Sequence, residues 1–179
     1  MDTKWVLGGL SVLNVVLKKN NSIFKIYEDI MIAKEENEKL IIEKLMGIED
    51  FHELAVRVDD TDLMSIVHAN KYLNYFDDGF ISFTSKMGKN CGVLYKQGIV
   101  FPVRKIEVEY INSATFGDNI LIHTRVINVG NTSMTLAMDC YKNTKSKDTL
   151  LVKGIIVRLI MDLKENKLIR ITDFFRDII

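Results

Sequence analysis

Two cysteines and one proline are all of either residue that this 179-residue chain contains. Cys91 and Cys140 make neither a metal-ligand spacing nor a disulfide framework, and they read as reduced thiols of a cytoplasmic protein. Pro102 alone excludes a proline-rich linker. An excess of one charge is also missing, with 24 basic against 24 acidic residues and a net charge of zero. Neither an acidic tail nor a basic excess that would hold nucleic acid is present. The apolar run Trp5 to Leu17 is interrupted by Gly8, Gly9, Ser11 and Asn14 and falls short of the ~20 residues a helix needs to span a bilayer. Its basic pair, Lys18 and Lys19, follows the apolar residues and no small-residue cleavage site closes it, so it does not read as a signal peptide. A helix packing in a core or between subunits is the expectation, with no membrane span. A phosphate-binding glycine loop, a metal-ligand cluster and a Ser/His/Asp arrangement are all lacking, so neither a metal nor a cofactor is expected.

What is present is ordinary for a globular protein: 47% hydrophobic and 27% charged residues. Length favours one domain with room for an appendage. Residues 1–50 read as a helical extension and 51–179 as the domain. Within the extension, Ser22 is a candidate cap for a helix through Ile23, Ile26, Ile30 and Met31, followed by Leu40, Ile41 and Leu45. The polar stretch Lys34 to Lys39 leaves two readings: one long surface helix or two shorter ones.

The strongest periodicity lies at Ala69, Tyr72, Leu73, Phe76, Phe80, Phe83 and Met87, one stripe at a 3.6-residue turn. It predicts a helix over about 67–87, roughly 30 Å long at ~1.5 Å per residue. Gly88 stands where a C-terminal glycine belongs. Gly79 inside it costs up to ~1 kcal/mol against alanine, which points to a sheet pressed close against the helix backbone. Before this helix, 52–58 reads as a strand ending in the acids Asp59, Asp60 and Asp62. After it comes a loop through Asn90, Cys91 and Gly92, then a short apolar piece over 98–101. Strands are predicted over 103–111, 119–129, 132–141 and 150–163, with a turn at Phe116-Gly117-Asp118, a hairpin at Gly130-Asn131 and a polar loop over 143–148. A short strand over 168–172 and a helical tail close the chain. One long helix followed by hairpin-linked strands makes an α+β domain, an antiparallel sheet against or around a helix.

The run Val-Arg-Val-Asp-Asp-Thr-Asp, followed after a short loop by Val-His-Ala-Asn-Lys-Tyr-Leu-Asn-Tyr-Phe-Asp, resembles the hotdog-fold acyl-CoA thioesterases of the 4-hydroxybenzoyl-CoA thioesterase and YbgC-like group. Ile106-Glu-Val-Glu-Tyr110 and Ala114-Thr-Phe-Gly-Asp118 support the likeness, which covers about 53–171. It implies a hotdog fold and hydrolysis of an acyl thioester of coenzyme A or acyl carrier protein. It also implies a homodimer or homotetramer with the site between subunits. Asp62 then matches the catalytic carboxylate and Ala69 the residue whose amide meets the thioester carbonyl. Tyr72 matches the family tyrosine, and His68 and Ser65 are expected near substrate. The chain departs from the pattern at four places: His68 comes one position early, Ser65 replaces a glycine, Lys71 an arginine and Ser113 a proline.

The chemistry suits these residue types. A carboxylate ionised at neutral pH can attack a thioester carbonyl, giving a mixed anhydride, or orient water as a base. Free amides at a helix N-terminus suit the developing oxyanion, one such donor being worth ~2.7–4 kcal/mol in the transition state. The plainer readings stand beside this. Asp62 or Ser65 can simply cap the helix, Asp59 and Asp60 can be turn acids, and His68 and His123 can be packing residues. The aromatic stripe is core, in part a wall for an acyl group. A second reading of the whole is a hotdog domain that binds an acyl thioester without turnover, its N-terminal helices passing on the signal.

Overall fold

The computed structural model describes residues 4–142 and 149–178, without the side chains of residues 4–21 and Phe24. The expected packing of Trp5 to Leu17 and the polar loop over 143–148 fall outside the described residues. The chain divides into two compact units, Met1–Leu40 and Ile41–Ile179.

Helix α1 runs unbroken over Lys4–Met46. Ser22 lies inside it and caps nothing. The polar stretch 34–39 does not break it, because Lys and Glu are good helix formers and need no apolar neighbour to stay helical. Within the second unit, Ile41 and Leu45 of its last turns are buried at 2% and 0% exposure.

Five strands form the main antiparallel sheet: β1 (Glu49–Ala55), β3 (Val103–Tyr110), β4 (Asn119–Val129), β5 (Ser133–Lys142) and β6 (Thr149–Leu159). Their order is β1-β4-β5-β6-β3, which leaves β1 and β3 as edges. A smaller sheet joins β2 (Ile99–Val100), β7 (Met161–Asp162) and β8 (Lys167–Leu168). Across the main sheet's inner face, Ile122 pairs with Cys140, Cys140 with Val152, and Val152 with Tyr110. The period-two patterns of β4 and β5 therefore land on the buried side, whereas edge strand β3 keeps all but the half-buried Val108 exposed.

Helix α2 (Lys71–Lys86) lies on that face and buries Tyr72, Tyr75, Phe76, Gly79, Phe80, Phe83 and Thr84. Gly79 is the contact point. A Cβ there would lie 2.7 Å from Ile122 Cγ2, with Met138 Cε and Thr124 Oγ1 each at 3.2 Å. Gly154 of β6 makes the matching room below, where a Cβ would stand 2.7 Å from the Phe76 ring. The helix ends as expected at Gly88, with φ +73°, where Lys89 N–H reaches Thr84 O and Gly88 N–H reaches Ser85 O.

Three expectations need correction. The helix starts at Lys71 rather than near 67, because residues 61–67 close a bridged loop in which Thr61 pairs with Val67. The first strand is 49–55 rather than 52–58, and Val58–Asp60 is a 3₁₀ turn. The loop expected at Asn90, Cys91 and Gly92 is the start of a helix, α3 (Cys91–Gln97), capped by the Asn90 side chain accepting from Val93 N–H at 3.1 Å. Beyond these three, the strand expected over 168–172 is cut short: β8 stops at Leu168, and Ile171 and Thr172 instead begin a last short helix, α4 (Ile171–Phe174), that seats them in the core.

Candidate active site

The loop between the 3₁₀ turn and α2 carries the acids singled out in the sequence. Asp60, nearly buried, is held by the Arg57 amide at 2.9 Å and the Lys71 ammonium at 3.1 Å. Burial by itself would raise its pKa, but these donors hold it below the usual carboxylate range. Its backbone carbonyl takes the His68 amide at 2.9 Å. Asp60 is thus a strut that ties the loop to the first residues before α2.

Asp62 is built differently. Its Oδ1 accepts the Met64 amide at 2.8 Å, a local turn that fixes the carboxylate against its own loop. Its amide donates to Ile66 O and its carbonyl accepts from Ser65 N–H, each at 2.9 Å. Ser65 sits at φ +61°, the left-handed region that favours glycine. It is a turn residue and not a helix cap, so that alternative falls. Asp62 shares the wall of an open hollow of about 600 Å³ with Thr61, Leu63, Met64 and His68.

The amides leading into α2 are nearly all matched. His68 N–H goes to Asp60 O, Asn70 N–H to His68 Nδ1 at 3.3 Å, and Lys71 N–H to His68 O. Ala69 N–H, between them, meets no acceptor among the described residues, and Ala69 is exposed. Because Nδ1 of His68 accepts, the neutral ring carries its proton on Nε2. Ala69 stands two residues before the first helical residue, so its amide lies at the loop-to-helix junction.

Asp62 and His68 thus share one hollow. Ser65 turns the same loop, Ala69 follows His68 directly, and neither is part of the hollow's wall. Tyr72 is in the core at 2% exposure, its ring edge-on to Tyr75 and Tyr110. Its hydroxyl is pushed up to about 12 by burial, with the neighbouring Cys140 thiol adding to the shift. Cys140 itself is driven to about 12 by burial, so it is an inert thiol at neutral pH.

Sequence reasoning missed one contact: Tyr110, on the inner face of edge strand β3, donates its hydroxyl to Ala69 O at 2.9 Å. The only signal was the alternation that put Tyr110 on that face. A second cavity, of about 310 Å³, lies farther along α2 between Phe80, Ile81, Tyr95, Ile99, Val100 and Phe101, with Cys91 also in its wall. Its wall also carries Arg158, whose guanidinium pairs with Asp77, donates to Phe101 O at 3.2 Å and lies 4.1 Å from the Phe80 ring centre. Among the described residues, no three His, Cys, Asp or Glu side chains are grouped to hold a metal ion. Nor is any described helix long and apolar enough to cross a membrane.

With a long helix laid on an antiparallel sheet and an acidic loop at its N-terminal end, the chain belongs to the Thioesterase-like superfamily, whose family model matches residues 56–179. Among curated proteins it is similar to the chloroplastic acyl-acyl carrier protein thioesterases ATL3 and ATL2 of Arabidopsis thaliana, each 24% identical over 115 residues. That match covers 63% of this chain, and the chain spans only 60% and 61% of the length of those two relatives. Among solved structures it is similar to a DHNA-CoA thioesterase from Staphylococcus aureus, with TM-score 0.65, 22% identity, and coverage of 72% of this chain and 85% of that one. It is also similar to the 4-hydroxybenzoyl CoA thioesterase of Pseudomonas sp. strain CBS-3, with TM-score 0.65, 17% identity, and coverage of 73% and 99%. These likenesses establish the hotdog fold.

Proposed function

We propose that the chain hydrolyses an acyl thioester, of coenzyme A or of acyl carrier protein, to the free acid and thiol. The observation that carries this reading is the pairing of one carboxylate with one unmatched amide. Asp62 lines an open hollow, and seven residues on, the Ala69 amide is the one donor of the 68–71 run without a partner among the described residues. In this reading Asp62 attacks the carbonyl carbon or orients the water that does, and the Ala69 amide receives the charge that develops on the carbonyl oxygen. The Oδ1 bond to Met64 N–H leaves Oδ2 for the chemistry. His68 contacts substrate through Nε2. On the first route the thiolate leaves as a mixed anhydride forms on Asp62, and water then cleaves that anhydride to the free acid, its released proton going to the thiolate; on the second the proton that Asp62 takes from water passes to the departing thiolate.

The working unit in this proposal is a homodimer, or a tetramer made from it. Edge strand β3 keeps Ile106 and Tyr110 of its inner face 40% and 51% exposed, unusual for the side that should be covered. A second copy pairing antiparallel along β3 extends the sheet and covers both. It also brings the Phe101 end of one copy toward the Tyr110 end, and so toward Ala69, of the other. We assign the acyl group to the apolar cavity beside Phe80 and Phe101. Two free thiols fit a reducing compartment, the cytoplasm.

A thiol-release assay over a panel of acyl-CoAs and acyl carrier protein thioesters tests the reading. Release of thiol by the unsubstituted chain, lost in Asp62→Ala with binding retained, supports it. Tight binding of a thioester with no release in the unsubstituted chain overturns it in favour of a binding protein.

A further inference from the structure

The thioester reading leaves α1 without a role, and its middle has a pattern of its own. Ile23, Ile26, Ile30, Ala33, Asn37 and Leu40 recur at alternating gaps of three and four, the a and d positions of a heptad. They fall on one uninterrupted helix. In the single chain this seam is open: Ile23 is 46% exposed, Ile26 54%, Ile30 57% and Leu40 43%. So regular an apolar seam left open to water calls for a covering surface with the same repeat.

Three features say which surface. The a positions Ile23 and Ile30 are β-branched and Leu40 stands at d, the combination that favours two parallel strands, whereas Ile26 at d taken alone favours higher orders. The third a position is Asn37, also exposed. A lone asparagine at a fixes register by pairing with its own copy, at some cost in stability. The flanking charges agree: Asp29 falls at g and Lys34 at the following e, five residues on, the pair that meets across a parallel, in-register seam. The outward f positions, Glu28 and Glu35, are acidic and exposed. We infer that residues 23–40 of α1 form a parallel two-stranded coiled coil with a second copy of this chain, in register at Asn37. The pairing stands on the seam alone and does not depend on the thioesterase reading.

The test uses the full chain carrying Ile26→Cys, oxidised mildly and run on a non-reducing gel. In a parallel in-register pair the two d positions face each other, so most of this chain becomes a covalent dimer. The Glu28→Cys chain, with its thiol at f, and the unsubstituted chain, with only Cys91 and Cys140, stay at least fivefold lower. Asp29→Lys added to Ile26→Cys lowers the covalent dimer severalfold, and Lys34→Asp added to both restores it. Equal cross-linking from Ile26→Cys and Glu28→Cys overturns the pairing. So does flotation of the chain with phosphatidylcholine–phosphatidylglycerol vesicles in place of cross-linking, which would make a lipid surface the occupant.

Discussion

Asp60 and Asp62 are two positions apart and do opposite work. Asp60 is nearly buried and held by the Arg57 amide and Lys71, whereas Asp62 spends one oxygen on Met64 N–H and faces an open hollow. Sequence spacing alone does not distinguish them. The resemblance selected Asp62, and burial explains why Asp60 itself is unsuited to meet substrate. Ser65 shows what the sequence hid. Its φ of +61° lies in the left-handed region that favours glycine, the residue the resemblance implied at this position. A side chain in that region costs ~1–2 kcal/mol, and glycine's greater freedom in the unfolded chain returns part of that. Ser65→Gly is therefore expected to raise stability by about 0.5–1 kcal/mol in a urea titration, with the m-value unchanged. Tyr110→Phe removes the hydroxyl that holds Ala69 O. Thiol release should fall several-fold while the unfolding midpoint moves little, since the lost bond is exposed and worth ~1 kcal/mol or less.

At the scale of elements, strand 103–110 alternates cleanly in residue type yet keeps all but the half-buried Val108 exposed, whereas strand 119–129 was legible because it has one wet and one dry face. The aromatic stripe of α2 was legible for the same reason, at a different period. Tyr75 escaped it, lying one position off the stripe yet buried at 4% exposure. Helix α3 escaped too: seven residues with Gly92 near their start carry too little periodicity to be seen. The Tyr110–Ala69 bond joins residues 41 apart and could not be read from any local pattern. Gly79 gave the clearest forecast of contact between elements. Alanine there gains up to ~1 kcal/mol of helix propensity, but its methyl meets Ile122 at 2.7 Å in a packed layer. Overpacking costs typically ~1–3 kcal/mol, so Gly79→Ala should lower stability by about 1–2 kcal/mol net. Unchanged or raised stability in a denaturant melt would mean the sheet can yield beneath the helix.

For the whole molecule, acid sensitivity follows from carboxylates held by partners: Asp177, on the surface, by Lys89, and deeper in the fold Asp60 and Asp118. Asp60 and Asp118 would both be raised by burial, yet partners hold them below the ordinary range; for Asp118 these are Lys142 and Thr115. In the unfolded chain each titrates near ~3.9. Their contribution to stability is thus complete above that pH and is lost as pH falls through the lower, folded values. Stability should decline from about pH 4 downward, and Asp60→Asn should be less stable at pH 7 with a shallower decline in acid. In the proposed homodimer, edge strand β3 links assembly to function. Ile106→Asp combined with Ile30→Asp, which opens the α1 seam as well, should shift the particle mass to that of the monomer by light scattering, and Ile106→Asp alone should lower activity if the acyl cavity of one copy serves the Ala69 corner of the other.

The most direct check compares steady-state thiol release by the unsubstituted chain and by Asp62→Asn, on the best acyl thioester of the panel. Asparagine keeps the oxygen that accepts Met64 N–H, so the loop should stay folded and binding should persist. The carboxylate's loss should lower kcat by about 10²–10⁴-fold with thermal stability unchanged. An Asp62→Asn chain that still turns over within a few-fold of the unsubstituted rate would contradict the assignment of the reaction to this carboxylate.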